Sequence, residues 1–307
     1  MGKSEIVMRE EFTRWCKTVQ SQMETVLLSH LPATTLAPHK LHEAMQYAVL
    51  DGGKRVRPLL AFAAGELFDA PRDGIERAAC AVEMIHAYSL VHDDMPCMDD
   101  DALRRGKPTV HKKYDEATAL LVGDALQAQA FEVIAGGNLD AQRKVAMVSC
   151  LARAAGSLGM CGGQAIDLDS VGISLSRDAL EHMHRLKTGA LLEASVMLGA
   201  LAGKSLLSAE ELALRAYSSA IGLAFQVVDD ILDATADSAT LGKTAGKDAA
   251  SNKPTYVSIL GLNESLALAE KLRQDAHQAL LPFGDPAMRL KELADLIVQR
   301  KTYLSTG

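Results

Sequence analysis

Residues 87–101 read Ala-Tyr-Ser-Leu-Val-His-Asp-Asp-Met-Pro-Cys-Met-Asp-Asp-Asp, an apolar run that leads into a crowd of aspartates. The apolar run favours a buried helix, and crowded carboxylates repel one another unless a cation or water compensates them. Asp93 and Asp99 are six positions apart, which an ideal helix places on different faces. Pro96 lies between them and removes a helical N–H, so we expect a local bulge that brings Asp99 back beside Asp93.

A second stretch of this kind covers residues 224–233, Ala-Phe-Gln-Val-Val-Asp-Asp-Ile-Leu-Asp. Residues four apart lie roughly 40° from each other around a helix, so Asp229 and Asp233 share a face. Either cluster alone is compatible with a solvated helix end, but a solvated face does not usually begin where a buried helix ends. Mg²⁺ prefers one or two carboxylates together with substrate phosphates and water. The two clusters therefore predict a magnesium site.

Three further segments carry cations that could bind the phosphate of a magnesium-bound ligand. They are Gly-Gly-Lys-Arg-Val-Arg-Pro at 52–58, Arg-Arg-Gly-Lys at 104–107 and Lys-Thr-Gly at 187–189. Glycine allows close backbone approach, and the arginine fork matches two phosphate oxygens. Each basic run taken alone is compatible with a solvated surface, and the third with a helix C-cap. Basic and acidic groups in alternation favour a ligand that carries both phosphate and bound metal.

Composition narrows the class of protein. The chain has 307 residues, 48% hydrophobic and 4% aromatic, with a net charge of −7. That charge argues against a nucleic-acid partner, which would need a basic face. Five cysteines without a C-x-x-C pair favour a reducing compartment. The longest apolar stretch, 189–203, is interrupted by Glu193 and is too short to span a bilayer. We predict a cytoplasmic protein with no membrane insertion.

The pattern along the chain predicts an all-α fold and one domain over residues 1–307. Apolar spacing of helical type recurs between short breaks, and no period-2 alternation is convincing. The break at 136–138 is not taken as a domain boundary, because motifs on both sides of it are needed. Residues 234–256, rich in Gly, Ser, Asp and Lys, are predicted to form a lid. The predicted helices are 10–30, 41–51, 58–68, 72–92, 117–135, 141–156, 176–187, 190–202, 209–233, 262–281 and 286–299.

Together these segments resemble the trans-isoprenyl diphosphate synthase family, and its bacterial farnesyl diphosphate synthases most closely. The similarity runs from Leu41 to about Gln299 and depends on the order and spacing of the segments more than on any one of them. The segments that carry it are 52–58, 83–101, 103–109, 162–164, 187–189, 225–226, 229–233, 242–243 and 253.

The resemblance implies an isoprenoid synthase fold, with about ten core helices around a deep central cavity, in a homodimer. It implies a transferase that joins dimethylallyl and then geranyl diphosphate to isopentenyl diphosphate, releasing diphosphate and giving farnesyl diphosphate. It also implies three Mg²⁺ per active site, for which Mn²⁺ is an expected substitute.

The same resemblance assigns roles to matched residues. Those expected to bind isopentenyl diphosphate are Gly53, Lys54, Arg57, His86 and Arg105. Those expected to bind the allylic diphosphate are Arg104, Lys187 and Lys243, with Lys253 guarding the closed site. The expected metal ligands are Asp93, Asp99, Asp229 and Asp233.

The remaining expectations concern which residues act in catalysis and which limit the length of the product. The residues expected to act in catalysis are Asp93, Asp99, Lys187, Thr188, Gln226 and Asp229. Tyr88 and Ser89 lie roughly 6–8 Å below the aspartates along a helix, where a growing isoprenoid tail would meet the Tyr88 ring. In the family, an aromatic here and the insertion Pro96-Cys97 accompany a C15 product, although the ring could also be a plain core residue.

Four alternatives stay open. A geranylgeranyl diphosphate synthase would use the same site with a deeper cavity. A non-catalytic regulatory subunit tends to lose an acidic cluster, and both are present here. A terpene cyclase carries a different second metal motif and has no need for residues 52–58. A metal-binding structural bundle would explain the aspartates but not the ordered cations.

Overall fold

In the computed structural model of the chain, residues 3–50, 52–235 and 254–299 are described, with side chains from residue 9 onward. The α-helices are α1 Lys3–His30, α2 His39–Val49, α3 Val56–Leu67, α4 Arg72–Asp93, α5 Val110–Lys113, α6 Glu116–Ala135, α7 Ala141–Ala155, α8 Met160–Asp169, α9 Arg177–His184, α10 Ala190–Gly203, α11 Ser208–Thr235, α12 Tyr256–Leu260, α13 Leu262–Ala279 and α14 Met288–Val298. A π-helical turn, Arg185–Gly189, joins α9 to α10, and two short 3-10 turns, Leu281–Phe283 and Asp285–Ala287, precede α14.

The predicted all-α class is confirmed, and each predicted helix is present. Helix ends are shifted by up to three residues, except that α1 begins seven residues before the predicted start. The sequence-based assignment missed α8, whose two adjacent glycines, Gly162 and Gly163, lower its helix propensity. It also missed a two-residue hairpin, β1 Leu103–Arg104 with β2 Lys107–Pro108, which is too short for alternation to register.

The chain divides into two compact units, so the prediction of one domain over residues 1–307 stays a prediction. The first unit comprises residues 1–148 and 198–204. Its core is α4, buried almost continuously from Ala78 to Ile85, with α3 and α6 packed along it. Small residues let these helices approach: a Cβ on Gly123 of α6 would lie 1.9 Å from Nε2 of His92 in α4. This close packing fixes the carboxyl end of α4, where the first acidic cluster begins.

The second unit comprises residues 149–197 and 205–307. Its core is the long helix α11, which packs against α13 and α14. The fully buried Tyr217 donates a hydrogen bond of 2.7 Å from its hydroxyl to the carbonyl oxygen of Leu290. The carboxyl end of α11 carries the second acidic cluster, so each unit presents one acidic helix end.

Two helical stretches, 141–169 and 177–203, have the length and mean hydropathy, 1.4 and 1.2, of a membrane span. The first is divided between α7 and α8 by a turn that contains Gly156 and Gly159, and the second contains the π turn. Core helices of water-soluble proteins share this composition, so the pattern is weak support for a membrane segment.

Candidate active site

The first acidic cluster forms a closed loop at the end of α4. The backbone N–H of Asp99 donates to the carbonyl oxygen of Asp93 at 2.8 Å, and that of Asp101 donates to Asp94 at 3.1 Å. Asp99 therefore returns beside Asp93, as the sequence suggested. The cause differs from the expected bulge, because the helix ends at Asp93 and the loop folds back on it.

Asp94 is the carboxylate of this loop that binds Arg104. Its carboxylate, 4% exposed, accepts hydrogen bonds of 2.8 Å from Nε and 2.6 Å from Nη2 of Arg104. Burial alone would lower the pKa of Arg104, but the Asp94 carboxylate outweighs it, so this pKa lies above its usual value. Arg104, expected to bind the allylic diphosphate, is thus held as a cation at the edge of the acidic loop.

The hairpin that follows places Arg105 against the glycine turn of residues 52–58. Arg105 and Gly106 form its two-residue turn, both with positive φ, of 52° and 75°. Gly53 has a φ of 86°, which other residues rarely adopt, and a Cβ there would lie 2.8 Å from Nη2 of Arg105, so the guanidinium would have to shift. This contact brings the glycine turn of residues 52–58 next to Arg105, although the two are far apart in sequence. Both are expected to bind the diphosphate of isopentenyl diphosphate.

His86 lies among these cations. Burial, followed by the charges of Arg57, Arg105 and Arg104, holds the pKa of His86 well below its usual value. The imidazole is therefore neutral near pH 7 and can donate one N–H. Three guanidinium groups close enough to act on one imidazole make a strongly positive site, which favours an anion with several oxygens.

The three cations of residues 52–58 do not share one role. Arg55 points inward, 2% exposed, and its Nη1 donates to Glu83 at 2.6 Å while its Nη2 donates to Glu24 at 2.5 Å. Lys54 is exposed and Arg57 is half-buried. Arg55 therefore holds the turn in place, whereas Lys54 and Arg57 lie nearer the surface, where a ligand can reach them.

A cavity of about 90 Å³ adjoins this cationic cluster. Its lining includes Tyr47, Gly52, Asp94, Arg104 and Arg105. The hydroxyl of Tyr47 donates to the carbonyl oxygen of Pro108 at 2.7 Å, which ties the hairpin to α2.

In the second unit, the segment Lys187–Gly189 lies within the π turn, and not at the helix end that the sequence suggested. Glycines pack this turn tightly from two sides. A Cβ on Gly163 of α8 would lie 2.1 Å from the backbone N of Lys187, and one on Gly222 of α11 would lie 3.1 Å from Cα of Gly189. Isolated π turns often mark functional positions because they redirect the backbone. Here the turn carries Lys187 and Thr188 between α8 and α11.

Asp167 is a site residue that sequence reasoning missed. Nζ of Lys187 donates to its Oδ2 at 2.6 Å, and Asp167 is buried. The sequence spacing could have indicated this residue. Asp167 follows Gly163 by four positions and so lies on the same face of α8. The Asp167 carboxylate keeps the Lys187 ammonium in one place.

The second acidic cluster lies at the end of α11, with Asp229 and Asp233 one turn apart. Asp233 is 8% exposed, and its Oδ1 accepts no hydrogen bond within the described residues. Asp230 differs: it is 3% exposed, and its two oxygens accept from Nε2 of Gln226 and from the backbone N–H of Tyr256, both at 2.8 Å.

The two residues expected to limit product length lie on α4. Tyr88 is 6% exposed, and its ring meets that of His92 edge-on with centroids 5.7 Å apart. The Ser89 hydroxyl donates to the carbonyl oxygen of His86 at 2.8 Å. Tyr88 is thus the bulky side chain of the pair, and Ser89 is bound to its own helix.

The donor set fits a hard divalent cation. No three His, Cys, Asp or Glu side chains converge into a ready metal cage within residues 9–50, 52–235 and 254–299. Mg²⁺ needs no such cage, since it takes one or two carboxylates and completes its shell with phosphate oxygens and water. Within the first unit, the folded-back pair Asp93 and Asp99 offers oxygens of that kind. Within the second unit, the buried oxygen of Asp233 does so separately.

Two expected site residues, Lys243 and Lys253, and most of the predicted lid at 234–256 lie outside the described residues.

A helical fold in which the acidic end of a helix adjoins ordered cations is suited to an enzyme that binds a metal-bound diphosphate. Comparison with known proteins identifies the particular family, since residues 38–280 match the family model described as polyprenyl synthetase. The chain belongs to this family, and the predicted prenyltransferase class is confirmed. Family membership implies a divalent metal cofactor.

Individual relatives agree with this assignment. The chain is similar to the farnesyl diphosphate synthase of Escherichia coli, with 48% identity over 84% of this chain and 88% of the relative. It is similar to the chloroplastic geranylgeranyl pyrophosphate synthase of Catharanthus roseus, with 50% identity over 86% and 74%. Among solved structures, a Helicobacter pylori geranyltransferase complexed with magnesium and isoprenyl diphosphate superposes with a TM-score of 0.81 at 33% identity, covering 94% of this chain and 97% of that one.

Proposed function

We propose that this protein is a farnesyl diphosphate synthase, which joins dimethylallyl and then geranyl diphosphate to isopentenyl diphosphate. The observation that carries the proposal is the cationic cluster around neutral His86, next to a glycine turn and an acidic loop. A structural metal site would not need this cluster, whereas an enzyme that holds two diphosphates would.

The cationic cluster is the proposed site of isopentenyl diphosphate. Lys54, Arg57 and Arg105 would bind its diphosphate, with the N–H of His86 as a neutral donor and Gly53 allowing close approach. Holding this substrate still matters because its double bond must attack the allylic carbon in one orientation.

The allylic diphosphate is proposed to bind Arg104 and Lys187, with Lys243 and Lys253 adding charge from outside the described residues. These cations stabilise negative charge as it accumulates on the departing diphosphate, which is the main electrostatic task of the reaction. The carboxylate partners of Arg104 and Lys187, Asp94 and Asp167, hold both cations in position before substrate arrives.

Asp93, Asp99, Asp229 and Asp233 are the proposed metal ligands. Three Mg²⁺, with Mn²⁺ as a substitute, would supply Lewis-acid stabilisation of the leaving diphosphate. The magnesium named in the Helicobacter pylori structure supports this choice of ion for the family.

The allylic cation requires neutral dipoles around it, because a full negative charge would trap it. The hydroxyl of Thr188, backbone carbonyls of the π turn and the amide of Gln226 are proposed for this role. After the new carbon–carbon bond forms, the released diphosphate is the proposed base for the final proton.

Tyr88 is proposed to set a C15 product by blocking the tail, with Ser89 beside it. Geranylgeranyl diphosphate synthesis is the second candidate, since a relative of that name is 50% identical. A non-catalytic subunit is disfavoured, because both acidic clusters and their cations are present.

We also propose a cytoplasmic homodimer with no membrane insertion and no nucleic-acid partner.

One assay tests the proposal. Purified protein is incubated with Mg²⁺, isopentenyl diphosphate and either dimethylallyl or geranyl diphosphate, and the products are separated by chain length. We expect farnesyl diphosphate as the main product and no turnover in EDTA. A mainly C20 product would favour the second candidate, and no condensation in Mg²⁺ or Mn²⁺ would reject both.

A further inference from the structure

Asp230 binds two different parts of the second unit with its two oxygens. Oδ1 accepts from the side-chain amide of Gln226 and Oδ2 accepts from the backbone N–H of Tyr256, each at 2.8 Å. With 3% exposure, the carboxylate has little access to water. Both oxygens are engaged by N–H donors, so the role argued for Asp230 is to hold other groups in place, and it differs from the metal-ligand roles proposed for Asp229 and Asp233.

The hydrogen bond from Gln226 to Asp230 fixes the orientation of the Gln226 side-chain amide. A glutamine amide has an NH₂ prong and a carbonyl prong of nearly equal size, and packing alone does not distinguish them. Because a carboxylate accepts and does not donate, it selects the orientation in which the NH₂ points at Asp230. The carbonyl oxygen of Gln226 then points away from Asp230.

We propose that Asp230 is a positioning residue that sets the amide of Gln226 so that its carbonyl oxygen, and not its NH₂, is offered to the allylic cation. The inference rests on the proposed function and deepens it. A carbonyl dipole stabilises positive charge, whereas an NH₂ in the same place would destabilise it. The hydrogen bond from Tyr256 holds the other oxygen, so the carboxylate cannot rotate away.

The variant Asp230→Asn tests this orientation directly. The N–H of Tyr256 needs an acceptor, so the oxygen of the introduced asparagine takes that side and its NH₂ faces Gln226. Gln226 then turns its amide over to accept, which keeps the number of hydrogen bonds but reverses the dipole. We expect kcat to fall about 10- to 100-fold, in line with loss of one preorganised group, while KM changes less than about threefold.

A double-mutant cycle with Gln226→Leu, which removes the amide, tests whether Asp230 acts through Gln226. Gln226→Leu alone should lower kcat about 10- to 100-fold, because it removes the carbonyl dipole. Adding Asp230→Asn to Gln226→Leu should lower kcat less than about twofold further, because no amide is left to orient. A matched control is Ser218→Ala, also buried on α11, which loses only a hydroxyl bond to Leu214 and should keep wild-type kcat.

Wild-type condensation activity is established first, which separates failure of this inference from failure of the proposed function. Unchanged kcat in Asp230→Asn overturns the inference, and so does a loss that is equally large in the Gln226→Leu background. If Asp230→Asn loses its helical circular dichroism, the double variant decides: a kcat equal to that of Gln226→Leu supports the positioning role, and a lower kcat overturns it.

Discussion

The backbone N–H of Asp99 donates a hydrogen bond of 2.8 Å to the carbonyl oxygen of Asp93. The seven residues 93–99 therefore close into a loop whose first and last residues are both aspartates. Asp100, the next residue, has a φ of 48° and is exposed, with its side chain 62% accessible to solvent. Two aspartates adjacent in sequence thus have different surroundings, and this difference supplies a test.

Asp99→Asn should lower kcat at least about 100-fold, because it removes a ligand charge from the proposed metal site. Asp100→Asn is the matched control, since it makes the same chemical change and asparagine tolerates a positive φ. Steady-state kinetics at saturating Mg²⁺ measure both. Equal losses in the two variants would contradict the assignment of Asp99.

Substitutions of Lys54 and Arg55 should have different effects: the first should weaken substrate binding and the second should lower the stability of the fold. Arg55→Met leaves the Glu83 carboxylate, 5% exposed, without its charge partner and should cost about 3–5 kcal/mol of unfolding free energy. Lys54→Met should change stability by less than about 0.5 kcal/mol and raise KM for isopentenyl diphosphate about tenfold. Urea denaturation and substrate titration distinguish the two.

Adding Glu83→Leu to Arg55→Met is the control for this pair, because it removes the stranded carboxylate. Most of the lost stability should return, since a buried ion pair can be replaced by apolar side chains. If stability does not recover, the Arg55–Glu83 contact is not what holds the glycine turn.

Tyr88→Ala should lengthen the product to C20 or beyond, because it removes the ring proposed to block the tail. The loss of a buried aromatic should also cost about 3–5 kcal/mol of unfolding free energy. Tyr88→Phe keeps the ring and should keep the C15 product. Product chain length by mass spectrometry is the readout, and unchanged C15 output from Tyr88→Ala would show that another residue forms the floor.

His184 should make the protein less stable in acid. Burial, and then the charge of Lys187, lower the pKa of His184 to about 4, whereas the unfolded chain titrates near 6.5. The unfolded state binds the proton first as pH falls, so the contribution is fully present above about pH 6.5 and is lost towards pH 4. Its size is about 3 kcal/mol, from the difference between the two pKa values.

The measurement is the unfolding free energy of wild type and His184→Gln at intervals from about pH 4.5 to about pH 7.5, which spans most of the interval between the two pKa values. The difference between the two proteins should shrink as pH falls, because only the wild type loses this contribution. A difference that stays constant with pH would show that His184 titrates normally in the folded state.

Helix positions and the pairing of Asp229 with Asp233 were predictable because both depend on residues within one or two turns. Apolar spacing of about 3.6 residues identifies a buried face without knowledge of what covers it. The return of Asp99 to Asp93 was also local, although the sequence suggested a bulge where the helix in fact ends.

The partners of buried charged side chains were less predictable from the sequence. Nothing within residues 52–58 distinguishes Arg55 from Lys54 or Arg57, and the distinction comes from Glu24 and Glu83. The missed α8 is a further example, because Gly163 weakens helix propensity but permits contact with Lys187. Tertiary packing outweighed propensity there.

The sequence by itself determined the helical class, the two acidic helix ends and the family of this protein, because these are written in short-range patterns of polarity and spacing. Only the tertiary structure decided which members of each charged cluster are turned inward and which can meet a ligand. Arg55 is engaged by Glu83, Asp94 by Arg104 of the hairpin and Asp230 by the backbone of Tyr256, while Lys54 stays exposed. The physical reason is that a buried charge requires a partner, and a partner is supplied by the fold and not by the neighbouring residues.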